Sequence, residues 1–211
     1  SKVFFINGGA GRVITSIPAL EKYAETHDDF VIVAEGGMNF FKGHPVLDKF
    51  AYDHWHKNLF EDKIKDRDCM TPEPYRRWHY YNQKCNIAQA YDMEINGLDE
   101  PRELPDPKIK LSKTEAITAL NTIEEVKAKT GHDKVIVIQP FGRGAEVKGE
   151  YIIDQSSRSF HQRDIVEVIN NLRKDYGVII MSEFQFPIDV EGQKDLIPCA
   201  WPQADIRVYA G

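Results

Sequence analysis

Short runs of apolar residues alternate along the chain with longer stretches in which apolar positions recur every three or four residues. Two runs, Lys2–Ile6 (KVFFI) and Phe30–Ala34 (FVIVA), have the aromatic and β-branched composition of buried strands. The stretch between them has helical periodicity and predicts a helix over residues 13–25. A third strand is predicted around residues 49–52, after a turn in HPVLDKF. The first part of the chain therefore predicts alternating strands and helices.

The middle of the chain is less regular. In RRWHYYNQKCNIAQAYDM, Trp78, Tyr81, Cys85 and Ala88 share one helical face, which predicts an amphipathic helix with its aromatic side chains buried. The next stretch, LDEPRELPDPKIKL, is rich in proline and charge, and such a composition is typical of an extended connector.

A linker helix is predicted after this connector. Ser112 stands three residues before Glu115, which is the spacing of a capping box, and Gly131 is a typical C-terminal cap. The face that this helix is expected to bury consists of Ile117, Leu120, Ile123 and Val126.

The order of strand, helix and strand then begins again, with a predicted strand at residues 134–139, a helix at 161–176 and a strand at 178–182. Alternating strands and helices form parallel sheets with right-handed crossovers. The sequence therefore predicts an α/β fold with two Rossmann-like lobes, the second too short to be complete. The predicted domains are residues 1–111, a linker helix at 112–133, and an incomplete second lobe at 134–211.

Composition narrows the class of protein. No apolar run approaches the length of a membrane span, and the N-terminus lacks the layout of a signal peptide. The three cysteines include no CxxC pair, which indicates reduced thiols and a cytoplasmic location. The net charge of −6 is divided evenly, with 15 basic against 18 acidic residues up to Ser112 and 12 against 15 after it. Charge alone would therefore not drive DNA binding, although a local basic patch could.

The stretch NGGAGRVI after the first strand is a candidate ligand loop. Gly9 and Gly11 supply the first part of the dinucleotide fingerprint G-x-G-x-x-G, but Ile14 stands at the position of the third glycine. Glu35, at the end of the second strand, stands where a ribose-binding acid would lie. A dinucleotide site, an anion or substrate loop at a helix N-terminus, and a tight turn that allows close packing are all compatible with these residues.

The continuation of this loop, GGAGRVITSIPAL, resembles the opening of glycosyltransferase family 9, the ADP-heptose:lipopolysaccharide heptosyltransferases. The matching residues are Gly9, Gly11, Val13, Ile14, Pro18, Ala19 and Leu20. HPVLDKF, KVIVIQPFGRG and SSRSFHQRDIVEVINNLRKDYGVIIM are similar to later segments, so the resemblance covers roughly residues 2–54 and 134–182. It implies a GT-B fold in which the first lobe binds an acceptor and the second a nucleotide-diphosphate sugar, with no cofactor and no metal.

The chain departs from this family at two places. Where the family has an aspartate, the presumed general base, this chain has Arg12, which cannot take a proton from an alcohol but could bind a phosphate or carboxylate on the acceptor. Glu35 is therefore the candidate catalytic base, since strand ends face the crevice of an α/β lobe, although a solvated carboxylate fits the same position. The chain also stops before the family's donor-binding segment, so either it is a fragment of a longer protein, which we expect, or its donor lobe is shortened.

Further binding residues are predicted in both lobes. Arg76, Arg77 and Trp78 combine cations with a stacking surface, which suits the binding of a sugar acceptor or a nucleic acid. An amphipathic helix with Trp78 buried and the arginines in solvent is the alternative. By analogy with phage enzymes that glycosylate hydroxymethylated bases in DNA, the expected acceptors are a glycan or such DNA, and the chain could be phage-encoded. The candidates for donor binding are Arg143, Ser157 and Arg158. Their charges and hydroxyl could stabilise a departing diphosphate.

No metal site is expected from the sequence. The pair His54 and His56 lacks a clear third ligand, and the DRD stretch at residues 66–68 has the character of a charged surface. The predicted function is the transfer of a sugar from a nucleotide-diphosphate sugar to an acceptor hydroxyl. An NAD(P)-dependent oxidoreductase or epimerase that uses Gly9, Gly11 and Glu35, and a non-catalytic binding module, stay open as alternatives.

Overall fold

Two α/β units make up the chain in the computed structural model, which describes residues 1–148, 151–182 and 197–200. The first unit is Ser1–Leu111, and the second begins at Ser112. Each unit contains a parallel sheet, so the predicted α/β fold class with two sheet-containing parts is confirmed. None of the helices in the described ranges combines the length and the apolar character that crossing a bilayer requires.

The first unit is built on a four-stranded parallel sheet with the strand order β3-β2-β1-β4. Its strands are β1 (Lys2–Ile6), β2 (Phe30–Ala34), β3 (Ala51–Asp53) and β4 (Asp68–Met70). The short strand β4 was not predicted, and it forms by pairing with β1 from Lys2 opposite Asp68 to Phe4 opposite Met70. The chain moves from β1 toward β3 and then crosses to the other side of β1. The topological switch point therefore lies between β1 and β4, and in such sheets ligands bind at the carboxyl ends of these strands.

The helices of this unit are α1 (Ala10–Ala24), α2 (Trp78–Tyr81) and α3 (Ile87–Asn96), with shorter 3-10 turns at Met38–Phe40, Asp48–Phe50 and Pro74–Arg76 and a π-helical turn at Phe60–Ile64. Alternate residues of the strands face opposite sides of the sheet. Phe4 and Ile32 lie in the core formed with α1 and α3. Val3 and Val31 lie on the other face, under Leu59 of the β3–β4 connection. The sheet is thus covered on both faces.

The amphipathic helix predicted around Trp78 and Tyr81 is wrong. The helix ends after four residues, and the side chains of Trp78 and Tyr81 are 62% and 80% exposed. A new helix, α3, begins at the capping box in which Asn86 and Gln89 bond each other's backbone N–H groups. This cap breaks the helical phase that would have placed the two aromatic residues on a buried face.

The connector after α3 is anchored to the first unit by side-chain bonds. Asp92, which is 1% exposed, accepts hydrogen bonds of 2.6 and 2.9 Å from the guanidinium of Arg102. Gln89 donates a bond of 2.9 Å to the Arg102 carbonyl oxygen, and Ile109 packs against the main core. The extended connector of the prediction is therefore fixed along α3 and the core.

A buried histidine ties α1 to the chain that follows β2. His44 Nδ1 accepts the backbone N–H groups of Val46 and Leu47 at 3.2 and 3.1 Å, and Nε2 lies 3.1 Å from Glu21 Oε1. Lys108 Nζ lies 3.3 Å from the same carboxylate oxygen. Burial lowers the pKa of His44, and the neighbouring Glu21 carboxylate opposes part of that decrease.

Among its described residues, the second unit contains a parallel sheet, two helices and a hairpin. The sheet has the order β5-β8-β9, and the hairpin pairs β6 with β7 in antiparallel register. The bounds are β5 (Val135–Ile138), β6 (Ala145–Lys148), β7 (Tyr151–Asp154), β8 (Gly177–Ser182), β9 (Ile197–Ala200), α4 (Lys113–Thr130) and α5 (Gln162–Leu172). The predicted strands and helices of this part are present, whereas the hairpin was not predicted.

Helix α4 has the predicted ends but not the predicted buried face. Ser112 and Glu115 form the capping box, and Gly131 ends the helix in the left-handed conformation with φ of 74°. Ile117 and Leu120 are 57% and 60% exposed, which makes the prediction of their burial wrong. The packing against the sheet involves Val126, near the C-terminal end of the helix, which is fully buried.

Candidate functional site

Three loops meet at the carboxyl edge of the first sheet, because parallel strands end at the same edge. They are residues 7–9 after β1 (the glycine loop), residues 35–37 after β2 (the Glu35 loop) and residues 71–77 after β4. The carboxylate of Glu35 is exposed, and its Oε2 accepts the N–H of Gly8 at 2.6 Å. The predicted catalytic carboxylate therefore lies directly against the glycine loop.

The Glu35 loop approaches the glycine loop so closely that two of its positions require glycine. A Cβ on Gly36 would lie 2.8 Å from the carbonyl oxygen of Gly8. A Cβ on Gly37 would lie 2.9 Å from Ala10 Cα, and Gly37 has a φ of 77°, which L side chains rarely adopt. The two glycines thus allow the backbone contact that holds Glu35 in position.

This contact favours an acceptor or anion site over a dinucleotide site. A dinucleotide site uses the amides of the glycine loop for the pyrophosphate and the acid after the second strand for the ribose. Here Glu35 and the Gly8 amide are bonded to each other. Ile14, at the position of the third fingerprint glycine, packs against the main core.

Arg12 also packs against Gly8, near the switch point between β1 and β4. Gly8 has a φ of 101°, and a Cβ there would lie 2.9 Å from Arg12 Cδ, so the arginine stem packs over this glycine. Both terminal nitrogens of the Arg12 guanidinium lie 3.5 Å from carboxylate oxygens of Glu73. The guanidinium carbon is 4.9 Å from the centre of the Tyr75 ring, a cation–π distance.

A buried tyrosine hydroxyl completes this cluster. The side chain of Tyr91 is fully buried, and among the described residues its hydroxyl has no acceptor for its own proton. Burial raises the pKa of Tyr91 to about 12, and nearby Arg12 opposes part of that rise through its positive charge and a side-chain hydrogen bond to the Tyr91 oxygen. Leaving the proton of a buried hydroxyl without an acceptor costs free energy, and this cost calls for an explanation at this site.

The structure brings together four of the residues predicted for the first lobe and adds three that were missed. Gly9 is the N-cap of α1, without a side chain to cap it, and Gly11 has open space where a Cβ would be. Both lie beside Glu35 and Arg12 at the carboxyl edge. The missed residues are Glu73, Tyr75 and Tyr91. Glu73 and Tyr75 follow β4, a strand too short to be recognised in the sequence, and nothing in the sequence places Tyr91 near Arg12.

The three remaining residues predicted to bind the acceptor have different surroundings. Arg77 lies 3.2 Å from Glu94 and donates a bond of 2.6 Å to the Leu98 carbonyl oxygen, so it ties α2 to α3. Arg76 and Trp78 are exposed. An acceptor role therefore fits Arg76 and Trp78 better than Arg77, whose guanidinium already has partners within the fold.

In the second unit, Asp154 organises the loop that carries the predicted donor residues. Its carboxylate accepts the N–H and the hydroxyl of Ser156 at 2.8 and 2.5 Å, and it also accepts the hydroxyl of Ser159. These bonds hold the pKa of Asp154 below its usual value. The Ser159 hydroxyl oxygen in turn accepts the N–H of Gly142 at 2.9 Å. The segment after β5 and the segment after β7 are thereby held together.

This arrangement brings the predicted donor residues to neighbouring segments. A Cβ on Gly142 would lie 2.8 Å from Arg158 Cβ, and Arg143 is the next residue in the chain. Arg143, Ser157 and Arg158 are all exposed. Two cations and a hydroxyl thus lie on two neighbouring segments, which Asp154 and Ser159 join by hydrogen bonds.

The histidine pair of the first unit has other partners. His54 Nδ1 lies 3.4 Å from Asp53 Oδ1, and the His56 ring packs edge-on against Tyr52. Within the described ranges, His, Cys, Asp and Glu side chains form no group of three that could hold a metal ion. The second aspartate of the DRD stretch, Asp68, is the first residue of β4.

Comparison with known proteins yields one structural likeness. No protein-family model matches the chain, and no curated protein matches it. The fold is similar to the structure of E. coli ADP-heptose lps heptosyltransferase II, with a TM-score of 0.43 and 9% sequence identity. The match covers 86% of this chain and 64% of that chain, so this chain spans less than two thirds of the heptosyltransferase. At this identity and TM-score the likeness establishes no family, and the resemblance to glycosyltransferase family 9 stays a prediction.

Proposed function

We propose that this protein is a glycosyltransferase that moves a sugar from a nucleotide-diphosphate sugar to an acceptor hydroxyl. The observation that supports this most is the placement of Glu35. Its exposed carboxylate is held by the Gly8 N–H at the carboxyl edge of a parallel sheet, and the Arg12 side chain packs against the same glycine. A carboxylate fixed at a ligand-binding edge is suited to general base catalysis.

Glu35 is the proposed base. Its Oε2 is anchored to Gly8, while among the described residues Oε1 has no hydrogen-bond partner. Glu35 takes the proton of the acceptor hydroxyl as that oxygen bonds to the anomeric carbon. The bond from this carbon to the diphosphate breaks, and the electron pair leaves with the diphosphate. A direct attack of this kind inverts the configuration at the anomeric carbon.

The second unit is the proposed donor side. Arg143 and Arg158 would pair with the diphosphate, and Ser157 would donate a hydrogen bond to it, which stabilises the charge that develops as it leaves. No cofactor or metal is part of this proposal. Membership of family 9, a phage origin and a cytoplasmic location belong to the same proposal.

The proposed acceptor is a glycan hydroxyl. A hydroxymethylated base in DNA is a second candidate, because Trp78 and Tyr81 expose stacking surfaces beside the exposed cation Arg76.

A nucleotide panel tests the reaction class. Thermal unfolding of the 211-residue chain is measured with UDP, ADP, GDP and CMP, and with NAD and NADP. A bound ligand at one hundred times its Kd stabilises the protein by about 2.7 kcal/mol, which is easily measured as a higher Tm. We expect one nucleotide of the first group to raise the Tm, and stabilisation by NAD or NADP alone would support the oxidoreductase alternative.

Glu35→Gln tests the base. With the sugar nucleotide that the panel identifies, turnover is expected to fall by about 10²- to 10⁴-fold, because general base catalysis contributes that much. The rise in Tm with the nucleotide is expected to persist. Glu61→Gln, which removes a carboxylate from the β3–β4 connection, is the matched control with unchanged turnover. Full activity of Glu35→Gln contradicts the assignment, and acceptor binding by the wild type without any turnover favours a binding module.

A further inference from the structure

The Arg12–Glu73 pair is the loosest arginine–carboxylate contact described in the first unit. Its two N···O distances are both 3.5 Å, whereas Arg102 bonds Asp92 at 2.6 and 2.9 Å and Arg67 bonds Asp29 at 2.8 Å. Charge-assisted bonds of this type are normally about 2.7–2.9 Å long. Arg12 is therefore aligned with a two-oxygen partner that does not come close enough to bond it well.

Arg12 is held in place by the fold, whereas Glu73 is free to move. The arginine stem packs over Gly8, its guanidinium lies against Tyr75, and its side chain is 25% exposed. The Glu73 side chain is 42% exposed, so it can turn into water at small cost. A ligand that replaces Glu73 would meet a guanidinium that is already in position.

Two features of the surroundings indicate that the missing partner is an anion. The buried Tyr91 hydroxyl, whose pKa the Arg12 charge affects, has no acceptor among the described residues. Arg12 also lies in the first turn of α1, where the helix dipole is positive and where no acidic residue stands. The planar guanidinium matches the paired oxygens of a phosphate or a carboxylate.

We propose that Glu73 occupies the place of a substrate oxyanion, and that Arg12 binds a phosphate or carboxylate group of the acceptor once Glu73 turns away. The Tyr91 hydroxyl donates to the same anion and thereby gains the acceptor that it lacks. The acceptor class is therefore an anionic one, such as a phosphorylated or acidic sugar. The assignment of this anion to the acceptor rests on the proposed glycosyl transfer, whereas the oxyanion site itself does not.

Binding of inorganic phosphate to the full chain tests the site without requiring turnover. The Nε–H signals of the arginines are followed by NMR during the titration, and the Arg12 signal is identified by its absence in Arg12→Gln. We expect phosphate to shift this signal. Glu73→Gln is expected to tighten phosphate binding about two- to five-fold, since it removes a competing charge worth as much as an exposed ion pair. Arg12→Gln is expected to weaken it at least about ten-fold.

Arg67→Gln is the matched control, because Arg67 is 26% exposed and is also paired with an exposed carboxylate. Arg67 directly precedes β4 and therefore lies at the amino edge of the sheet, away from the proposed site. Its phosphate affinity is expected to equal that of the wild type. Tyr91→Phe is expected to weaken phosphate about two- to ten-fold, since it removes one neutral hydrogen bond. Weaker phosphate binding by Glu73→Gln, or unchanged binding by Arg12→Gln, overturns the proposal.

Larger ligands separate the possible sources of the anion. Glucose 6-phosphate and glucuronate distinguish a phosphate from a carboxylate, and uncharged glucose is expected to leave the Arg12 signal unchanged. Tighter binding of ADP than of both anionic sugars at Arg12 would assign the anion to the donor and overturn the acceptor assignment. If phosphate binds as expected while no sugar nucleotide is turned over, the proposed function fails and the oxyanion site stands.

Discussion

Replacing Gly37 by alanine perturbs the backbone contact that holds Glu35 against the glycine loop. Gly37 has a φ of 77°, and its new Cβ would lie 2.9 Å from Ala10 Cα and 3.2 Å from Phe40 Cδ2. The nearest atom belongs to the backbone of the first turn of α1, so it cannot move aside as the end of a flexible side chain can. We therefore expect the Glu35 loop to shift away from α1 and the bond from Gly8 to Glu35 to weaken.

Two costs add up in this variant. A left-handed conformation costs alanine about 1–2 kcal/mol relative to glycine. Forcing a methyl group into a packed contact costs about 1–3 kcal/mol more. The free energy of unfolding of the first unit is therefore expected to fall by about 2–5 kcal/mol. Gly97→Ala separates the two costs, because Gly97 has a φ of 65° and nothing within 4 Å of its Cβ position. That control is expected to lose only the conformational part, about 1–2 kcal/mol.

Amide hydrogen exchange of peptides from β1 and β2 is the assay, because it reports the stability of the first unit alone. The exchange of the Gly8 amide, measured by NMR, reports the bond to Glu35. We expect faster exchange at Gly8 in Gly37→Ala and no change at Gly8 in Gly97→Ala. Equal losses of stability in the two variants would mean that the close approach to α1 does not exist and that this contact does not hold Glu35 in position.

Two further predictions concern buried charges in the first unit. Burial lowers the pKa of His44 in the folded state, so the unfolded chain binds the proton first as the pH falls. The stability that this residue contributes is therefore complete above about pH 6.5 and decreases at lower pH. The Tm measured from pH 8 to pH 5 should decline, and the decline should be smaller in His44→Asn. Arg102→Gln leaves the Asp92 carboxylate, which is 1% exposed, without its cation. The free energy of unfolding measured in urea should therefore fall by about 3 kcal/mol, and a decrease below about 0.5 kcal/mol would contradict the pairing.

Elements with strong local patterns were predicted at the residues where the structure has them. Strands β1 and β2 span the predicted residues, since a run of β-branched and aromatic side chains is buried in almost any α/β sheet. The cap of α4 was also predicted, because Ser112, Glu115 and Gly131 act through bonds within the helix ends. In each case the stabilising interactions join residues that are close together in the sequence.

Elements that depend on distant partners were not predicted. Strand β4 has three residues and exists because β1 offers an unpaired edge. Trp78 and Ile117 have helical periodicity, yet both are exposed because no other element packs against those faces among the described residues. A periodic pattern indicates which residues could be buried, but burial also needs a second surface, and the pattern does not contain that surface.

The candidate site likewise contains some residues that the sequence predicted and others that only the tertiary structure brought there. The sequence by itself determined the glycine loop, Arg12, and a carboxylate at the end of β2, because strand ends and helix starts are local features. Only the tertiary structure decided that Glu73 would lie beside Arg12 and that Tyr91 would lie buried near Arg12 without an acceptor for its hydroxyl proton. These residues are 61 and 79 positions beyond Arg12, and the pairing of β4 with β1 and the packing of α3 on α1 bring them there. The physical reason is that side-chain chemistry at a sheet edge depends on which strands are neighbours, and long-range pairing sets that order.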